Sequence, residues 1–129
     1  MTLKDNFFTI KSQNVTDNNA EFRVKLNAGN IVYQAHFPNN PITPGVCLIQ
    51  IAVELFGFLK GENFSIKTLK SVKFTAPINP LEFPKIDFSL DFTENENLWQ
   101  VKVLVKEKEI VFAKMSMVAV MRGRQSEVK

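Results

Sequence analysis

The segment from Val46 to Leu59 constrains the fold more than any other, because it is apolar around nearly the whole circumference of a helix. Such a helix should be buried on most sides. The rest of the chain is dominated by segments with the two-residue period of half-buried strands. We therefore predict an α+β domain in which a sheet curls around one central helix.

The ends of this helix are also marked in the sequence. Thr43 is a good N-cap and Pro44 suits the first helical position, with Gly45 following. Lys60 in the last turn and Gly61 just beyond it are typical of a helix C-terminus.

Strands are predicted from strict alternation of apolar and polar residues. The segment KIDFSLDF (85–92) alternates throughout, and short turn signals separate it from its neighbours, which favours antiparallel pairing. The same period occurs in EFRVKL (21–26), LWQVKVLVK (98–106) and VFAKMSMVAV (111–120), and turn signals lie at 17–20, 27–30, 93–97 and 106–109.

Length and composition favour a single domain over residues 1–129, with 45% hydrophobic and 22% charged residues. We expect the polar tail from about residue 122 to be frayed. The N-terminal residues resemble neither a signal peptide nor a membrane span, so a cytoplasmic location is predicted.

The polar composition argues against several kinds of site. One cysteine and one histidine cannot supply an internal disulfide or a cluster of metal ligands, so no metal site is predicted. The net charge is +3, but the lysines are scattered, which disfavours nucleic-acid binding and leaves an acidic protein partner open. Cys47 is expected to be a small core residue.

The segment before the helix holds the chain's only histidine within a proline-rich loop. Three X-Pro pairs stiffen this loop, so His36 would be rigidly held, as a general base or acid must be. The N–H groups of Gly45 and Val46 lack intrahelical acceptors and are candidate donors to a developing oxyanion. The alternative for His36 is an ordinary surface or hydrogen-bonded core residue.

Two polar side chains interrupt the apolar helix. Gln50 and Glu54 are four residues apart and therefore share one face. A buried carboxylate needs a partner or a cavity. Catalysis and a subunit interface, with partners from another chain, are equally good explanations.

Together these residues resemble the 3-hydroxyacyl-[acyl carrier protein] dehydratase family. The likeness extends downstream to SVKFTAPINPLEF (71–83) and AKMSMVAVM (113–121), and so covers most of the chain. The motif that carries it is His36-Phe37-Pro38, Pro41 and Pro44-Gly45-Val46 followed by the apolar helix.

The resemblance implies a hotdog fold that works as a dimer or a trimer of dimers. Its substrate would be an acyl chain on the phosphopantetheine arm of acyl carrier protein, bound in a tunnel at the dimer interface. It also implies that His36 removes the C2 proton and that the Gly45 amide holds the thioester oxygen. Phe37, Pro38 and Val46 would then contact the substrate. No metal or organic cofactor is implied.

The sequence departs from the family at the acidic residue, which is expected fourteen positions after the histidine and is Gln50 here. An amide cannot protonate a leaving hydroxyl. The family has glutamine one turn later, where this chain has Glu54, so the two residue types are exchanged. One hypothesis is that Glu54 acts through Gln50 or an ordered water, as a carboxylic acid kept protonated in a dry site.

Two competing hypotheses remain. In the first, Gln50 marks a weakened or noncatalytic acyl-binding subunit that pairs with an active homologue as a heterodimer. In the second, the protein is an acyl thioesterase that depends on Glu54 and not on His36.

Overall fold

The computed structural model describes residues 2–35 and 39–122 and contains one six-stranded sheet with two helices. The strands pair antiparallel throughout, in the order β1-β2-β4-β5-β6-β3, which leaves β1 and β3 at the edges. The elements in chain order are β1 (Phe8–Val15), β2 (Asn19–Leu26), α1 (Ile31–Ala35), α2 (Gly45–Lys60), β3 (Phe64–Phe74), β4 (Lys85–Asn95), β5 (Leu98–Glu107) and β6 (Ile110–Met121).

The alternating segments form strands β2, β4, β5 and β6, and their apolar faces are buried. The sheet therefore has one apolar face, which packs against α2. The prediction of an antiparallel sheet curled around one long helix is confirmed. Two of the predicted turns are tight two-residue links, and positive φ angles occur at Glu96, Asn97 and Lys108.

Strand β1 and the short helix α1 were not predicted. β1 is an edge strand whose residues after Ile10 are all exposed, so its sequence carries no buried alternation. Helix α1 has only five residues, too few for a helical period to be recognised.

The predicted N-cap of α2 was wrong by one residue. Pro44 is the N-cap, with extended backbone angles (φ −62°, ψ 142°), and its carbonyl accepts from Cys47 N–H at 3.0 Å. Thr43 is buried, and its hydroxyl pairs instead with the Tyr33 hydroxyl at 2.8 Å. The C-terminus follows the prediction, because Gly61 adopts φ 69° and donates its N–H to the Gly57 carbonyl.

Helix α2 is covered by the sheet on one side only, which corrects the expectation of burial on most sides. The opposite face carries Val46, Val53 and Phe58, of which Val46 and Phe58 are exposed. The buried side consists of Cys47, Leu48, Ile51, Ala52, Leu55 and Phe56. Within the described ranges, no helix combines the length and apolarity needed to cross a bilayer.

An aromatic cluster holds the C-terminal end of α2 against the sheet. Phe56 packs edge-on against Phe92 and Trp99, with centroid distances of 5.6 and 5.4 Å. The Lys60 ammonium lies over the ring of Trp99 at 4.3 Å and over that of Phe92 at 4.7 Å. Phe56 is thus a core residue.

On the outer face of the sheet, Arg23 links three strands. Its guanidinium on β2 donates to Asp87 on β4 at 3.0 Å and to both carboxylate oxygens of Glu107 on β5. The hydrogen bonds from Arg23 are the main reason why the pKa of Glu107 lies below its ordinary value, and burial opposes them.

We expect replacement of Arg23 by Met to lower the free energy of unfolding by about 1–2 kcal/mol at pH 7. Because the folded-state pKa of Glu107 is depressed, its contribution is complete above the ordinary value of 4.5 and is lost as pH falls through the folded pKa. The difference between wild type and variant should therefore shrink in acid. Urea unfolding of both proteins from pH 7 downwards measures this, and a difference independent of pH would contradict it.

Candidate functional site

The described residues include four of the seven predicted site residues, all on α2. Gly45 and Val46 begin the helix, and Gln50 and Glu54 lie further along it. The other three, His36, Phe37 and Pro38, lie outside the described residues. Their roles remain predictions.

Gln50 and Glu54 contact each other directly. The Gln50 side-chain nitrogen donates to Glu54 Oε2 at 2.7 Å. This is the contact that a spacing of four residues on a helix permits.

Glu54 is also bound by the start of the chain, a contact that sequence reasoning missed. The Leu3 N–H lies 3.0 Å from Glu54 Oε1 and 2.7 Å from Oε2, and the Lys4 N–H donates to Oε1 at 2.8 Å. Every contact places an N–H donor against a carboxyl oxygen, so Glu54 acts here as an acceptor. No sequence signal marks such a contact, because backbone amides occur at almost every residue.

Residues 2–7, which we call the N-terminal strap, are held by side chains as well. Leu3 and Phe7 are buried, and the Phe7 ring stacks on Tyr33 at 5.1 Å. The Lys4 ammonium lies 5.1 Å from the centroid of the Phe58 ring on α2. The strap therefore covers part of the helix face that the sheet leaves open.

Gln50 and Glu54 line a cavity of about 420 Å³ between the strap and the C-terminal half of α2. Its wall is of mixed character, with side chains of both charge signs beside apolar ones. The other lining residues are Thr2, Lys4, Val53, Gly57, Phe58, Gly61, Glu62, Asn63, Phe64 and Arg122.

Gly45 lines a different cavity, of about 410 Å³, at the N-terminus of α2. The Phe74 ring of β3 lies against Gly45 so closely that a Cβ at position 45 would be 2.5 Å from Phe74 Cζ. Among the described residues, the N–H groups of Gly45 and Val46 have no hydrogen-bond acceptor. This end of the helix can therefore donate to an oxygen that carries developing negative charge.

Among the described site residues, Gln50 and Glu54 thus line one cavity and Gly45 lines another. Glu54 lies nine positions after Gly45, which corresponds to about 13 Å along a helix axis. A site that needs both groups within reach of one small reacting centre would have to combine cavities from two chains.

The remaining reactive groups give little sign of further chemistry. Burial raises the pKa of the Cys47 thiol, which suits a structural core residue. In the part of the chain that the structure describes, no group of three or more His, Cys, Asp or Glu side chains could hold a metal ion.

We expect replacement of Glu54 by Leu to loosen the strap, because the Leu3 and Lys4 amides would lose their acceptor. Hydrogen exchange at these two amides should accelerate about tenfold or more, the effect of losing about 1.4 kcal/mol of local stability. Glu62→Leu is the matched control, since Glu62 lines the same cavity without binding the strap amides. Equal exchange in the two variants would contradict the anchoring role.

Comparisons with known proteins agree with this architecture. The model of the ApeI-like family, described as ApeI dehydratase, matches residues 12–115. A curated 3-hydroxyacyl-[acyl-carrier-protein] dehydratase FabZ from Gluconobacter oxydans is 26% identical over 100 residues, covering 70% of this chain and 59% of that protein. A FabZ from Helicobacter pylori strain G27 is 29% identical over 84 residues, covering 54% and 52%. The chain thus spans between half and six-tenths of the length of these relatives.

Solved structures show the same fold at low sequence identity. The dehydratase heterocomplex ApeI:P from Xenorhabdus doucetiae matches with a TM-score of 0.68 at 17% identity, covering 88% of this chain and 96% of that one. Cj0977, a sigma28-regulated virulence protein from Campylobacter jejuni, matches with a TM-score of 0.66 at 14% identity, covering 92% and 85%. The fold is a hotdog fold, and the chain belongs to the ApeI-like dehydratase family.

Proposed function

We propose that this protein dehydrates 3-hydroxyacyl thioesters carried on acyl carrier protein to trans-2-enoyl thioesters, in the cytoplasm. The observation that carries the proposal is the pair of N–H groups at Gly45 and Val46 that have no acceptor among the described residues, in a chain of a dehydratase family. The FabZ names of the curated relatives support the reaction class. A net charge of +3 suits an acidic carrier protein through electrostatic steering.

The elimination needs a base, a site for the developing oxyanion and a proton for the leaving group. His36 removes the C2 proton, and the Gly45 amide stabilises the charge that develops on the thioester oxygen. The C3–O bond breaks as the C2–C3 double bond forms, and the oxygen leaves as water. Its proton comes from a protonated Glu54 through an ordered water or, where Glu54 is ionised, from His36, which already holds the C2 proton.

A second candidate is a noncatalytic acyl-binding subunit paired with an active homologue. It is favoured by Gln50, an amide at the position where the family's motif has an acid. The ApeI:P structure is itself described as a heterocomplex.

We expect the purified protein to eliminate water from a 3-hydroxyacyl chain on acyl carrier protein. Intact-protein mass spectrometry of the carrier measures this loss of water. His36→Ala and Glu54→Gln should each lower the rate about 10²-fold or more, the usual loss when a general acid or base is removed. Full activity of Glu54→Gln would exclude Glu54 as proton donor. If wild type is inert but still binds the carrier, the noncatalytic subunit is favoured. If wild type releases the free acid, a thioesterase is favoured.

We further propose that the protein works as a homodimer or a trimer of dimers, with a heterodimer as the alternative. The face of α2 that the sheet leaves open, and that the strap covers in part, is apolar at Val46, Val53 and Phe58. Leu69 and Phe74 are exposed on the adjacent edge strand β3. An exposed apolar patch of this kind is typical of an interface between subunits. A second chain could bring its Gly45 cavity close to the Gln50 cavity of the first.

We expect Val46→Glu to weaken self-association about tenfold or more, because a charge would be buried at the interface. Leu81→Glu is the matched control, since Val46 is 67% and Leu81 69% exposed but Leu81 lines a cavity that contains no residue of α2. Analytical ultracentrifugation across a concentration series measures both variants. A monomeric wild type, or equal effects of the two substitutions, would contradict the proposed interface.

A further inference from the structure

We infer that Glu54 fixes the orientation of the Gln50 amide, so that Gln50 presents its carbonyl oxygen to a hydrogen-bond donor on the ligand. This inference rests on the proposed function and deepens it, since the donor on a 3-hydroxyacyl thioester is its hydroxyl group. Gln50 would then be a residue that distinguishes hydroxyl from ketone at C3, and Glu54 its positioning residue.

The first step is that Glu54 is a fixed acceptor. Its two oxygens receive three contacts from the Leu3 and Lys4 N–H groups, at 2.7 to 3.0 Å. Those amides cannot turn away, because the strap is held by the buried side chains of Leu3 and Phe7. The carboxylate is therefore presented to Gln50 in one arrangement.

The second step concerns the two ends of the Gln50 amide. A carboxamide has a donating NH₂ group and an accepting oxygen, and only the NH₂ group can face a carboxylate favourably. In the structure, Nε2 lies 2.7 Å from Glu54 Oε2, so Oε1 is directed away from Glu54. A carboxamide oxygen has two lone pairs and can accept from a ligand in addition to a contact within the chain.

The third step is chemical discrimination. Gln50 lines the cavity beside Val53, and a ligand hydroxyl there can donate to its oxygen. A ketone at the same carbon cannot donate a hydrogen bond, and its oxygen would face the Gln50 oxygen, which is also an acceptor. The hydroxyl form gains a hydrogen bond to the Gln50 oxygen, whereas the ketone oxygen is repelled by it, so we expect wild type to bind the hydroxyl form about tenfold or more tightly than the ketone form.

Glu54→Gln should reverse the orientation of the Gln50 side-chain amide. A glutamine at position 54 has a single acceptor oxygen, which the Leu3 and Lys4 amides would occupy. Its NH₂ group would then face Gln50, whose amide must turn to accept from it. Gln50 would present NH₂ to the ligand, and a ketone could then bind as well as a hydroxyl.

The test compares unreactive pantetheine amides of a 3-hydroxyacyl and a 3-oxoacyl chain of equal length, by calorimetric titration of the full chain. Wild type and Glu109→Gln, a control in the exposed turn between β5 and β6, should prefer the hydroxyl form about tenfold or more. Glu54→Gln should lose or reverse this ratio. Gln50→Met, which leaves the strap contacts to Glu54 in place, should bind the two forms equally even if Glu54→Gln does not fold.

The outcomes separate this inference from the proposed function. Equal binding of both analogues by wild type, or an unchanged ratio in Gln50→Met, would overturn the role of Gln50 while leaving the acyl site intact. An unchanged ratio in folded Glu54→Gln would overturn the positioning role of Glu54. Failure of wild type to bind either analogue would overturn the acyl site itself, and this inference with it.

Discussion

The structure depends on one constraint, the need of α2 to bury one apolar side in the hollow of a curled sheet. Strands β2, β4 and β5 meet this need with alternating residues whose apolar members face the helix. Because a single sheet reaches only one side of a helix, the other side remains for different contacts. Gln50 and Glu54, the two polar residues of α2 before Lys60, lie on that other side. The core and the candidate site are thus two faces of the same element.

Glu54 connects two parts of the chain that are distant in sequence, the N-terminal strap and helix α2. Its carboxyl group binds the backbone of the N-terminal strap and, on its own helix, the side chain of Gln50. A carboxylate with several N–H donors is well satisfied despite partial burial. The exchange of residue types relative to the family motif therefore has a structural explanation. Glu54 holds the strap, and the Gln50 amide faces the cavity.

The sequence predicts those features that depend on period and on local chemistry. Helix α2 and four strands follow from apolar spacing, and the Gln50 to Glu54 contact follows from a separation of four residues. The N-cap was misplaced because the Thr43 hydroxyl pairs with Tyr33, a tertiary contact without a local signal. Strand β1 was missed because it is an exposed edge strand whose residues do not alternate between buried and exposed. The division of the site residues between two cavities depends on the strap and on Phe74, which only the folded chain brings to α2.

The aromatic cluster at the end of α2 contains the only tryptophan of the chain. Trp99 lies on β5, and its ring touches both a helix residue, Phe56, and the ammonium of Lys60. Its emission is therefore sensitive to the separation of helix and sheet, the same packing that defines the fold. The protein carries its own optical reporter, and detachment of the helix from the sheet can be followed in real time without any added label.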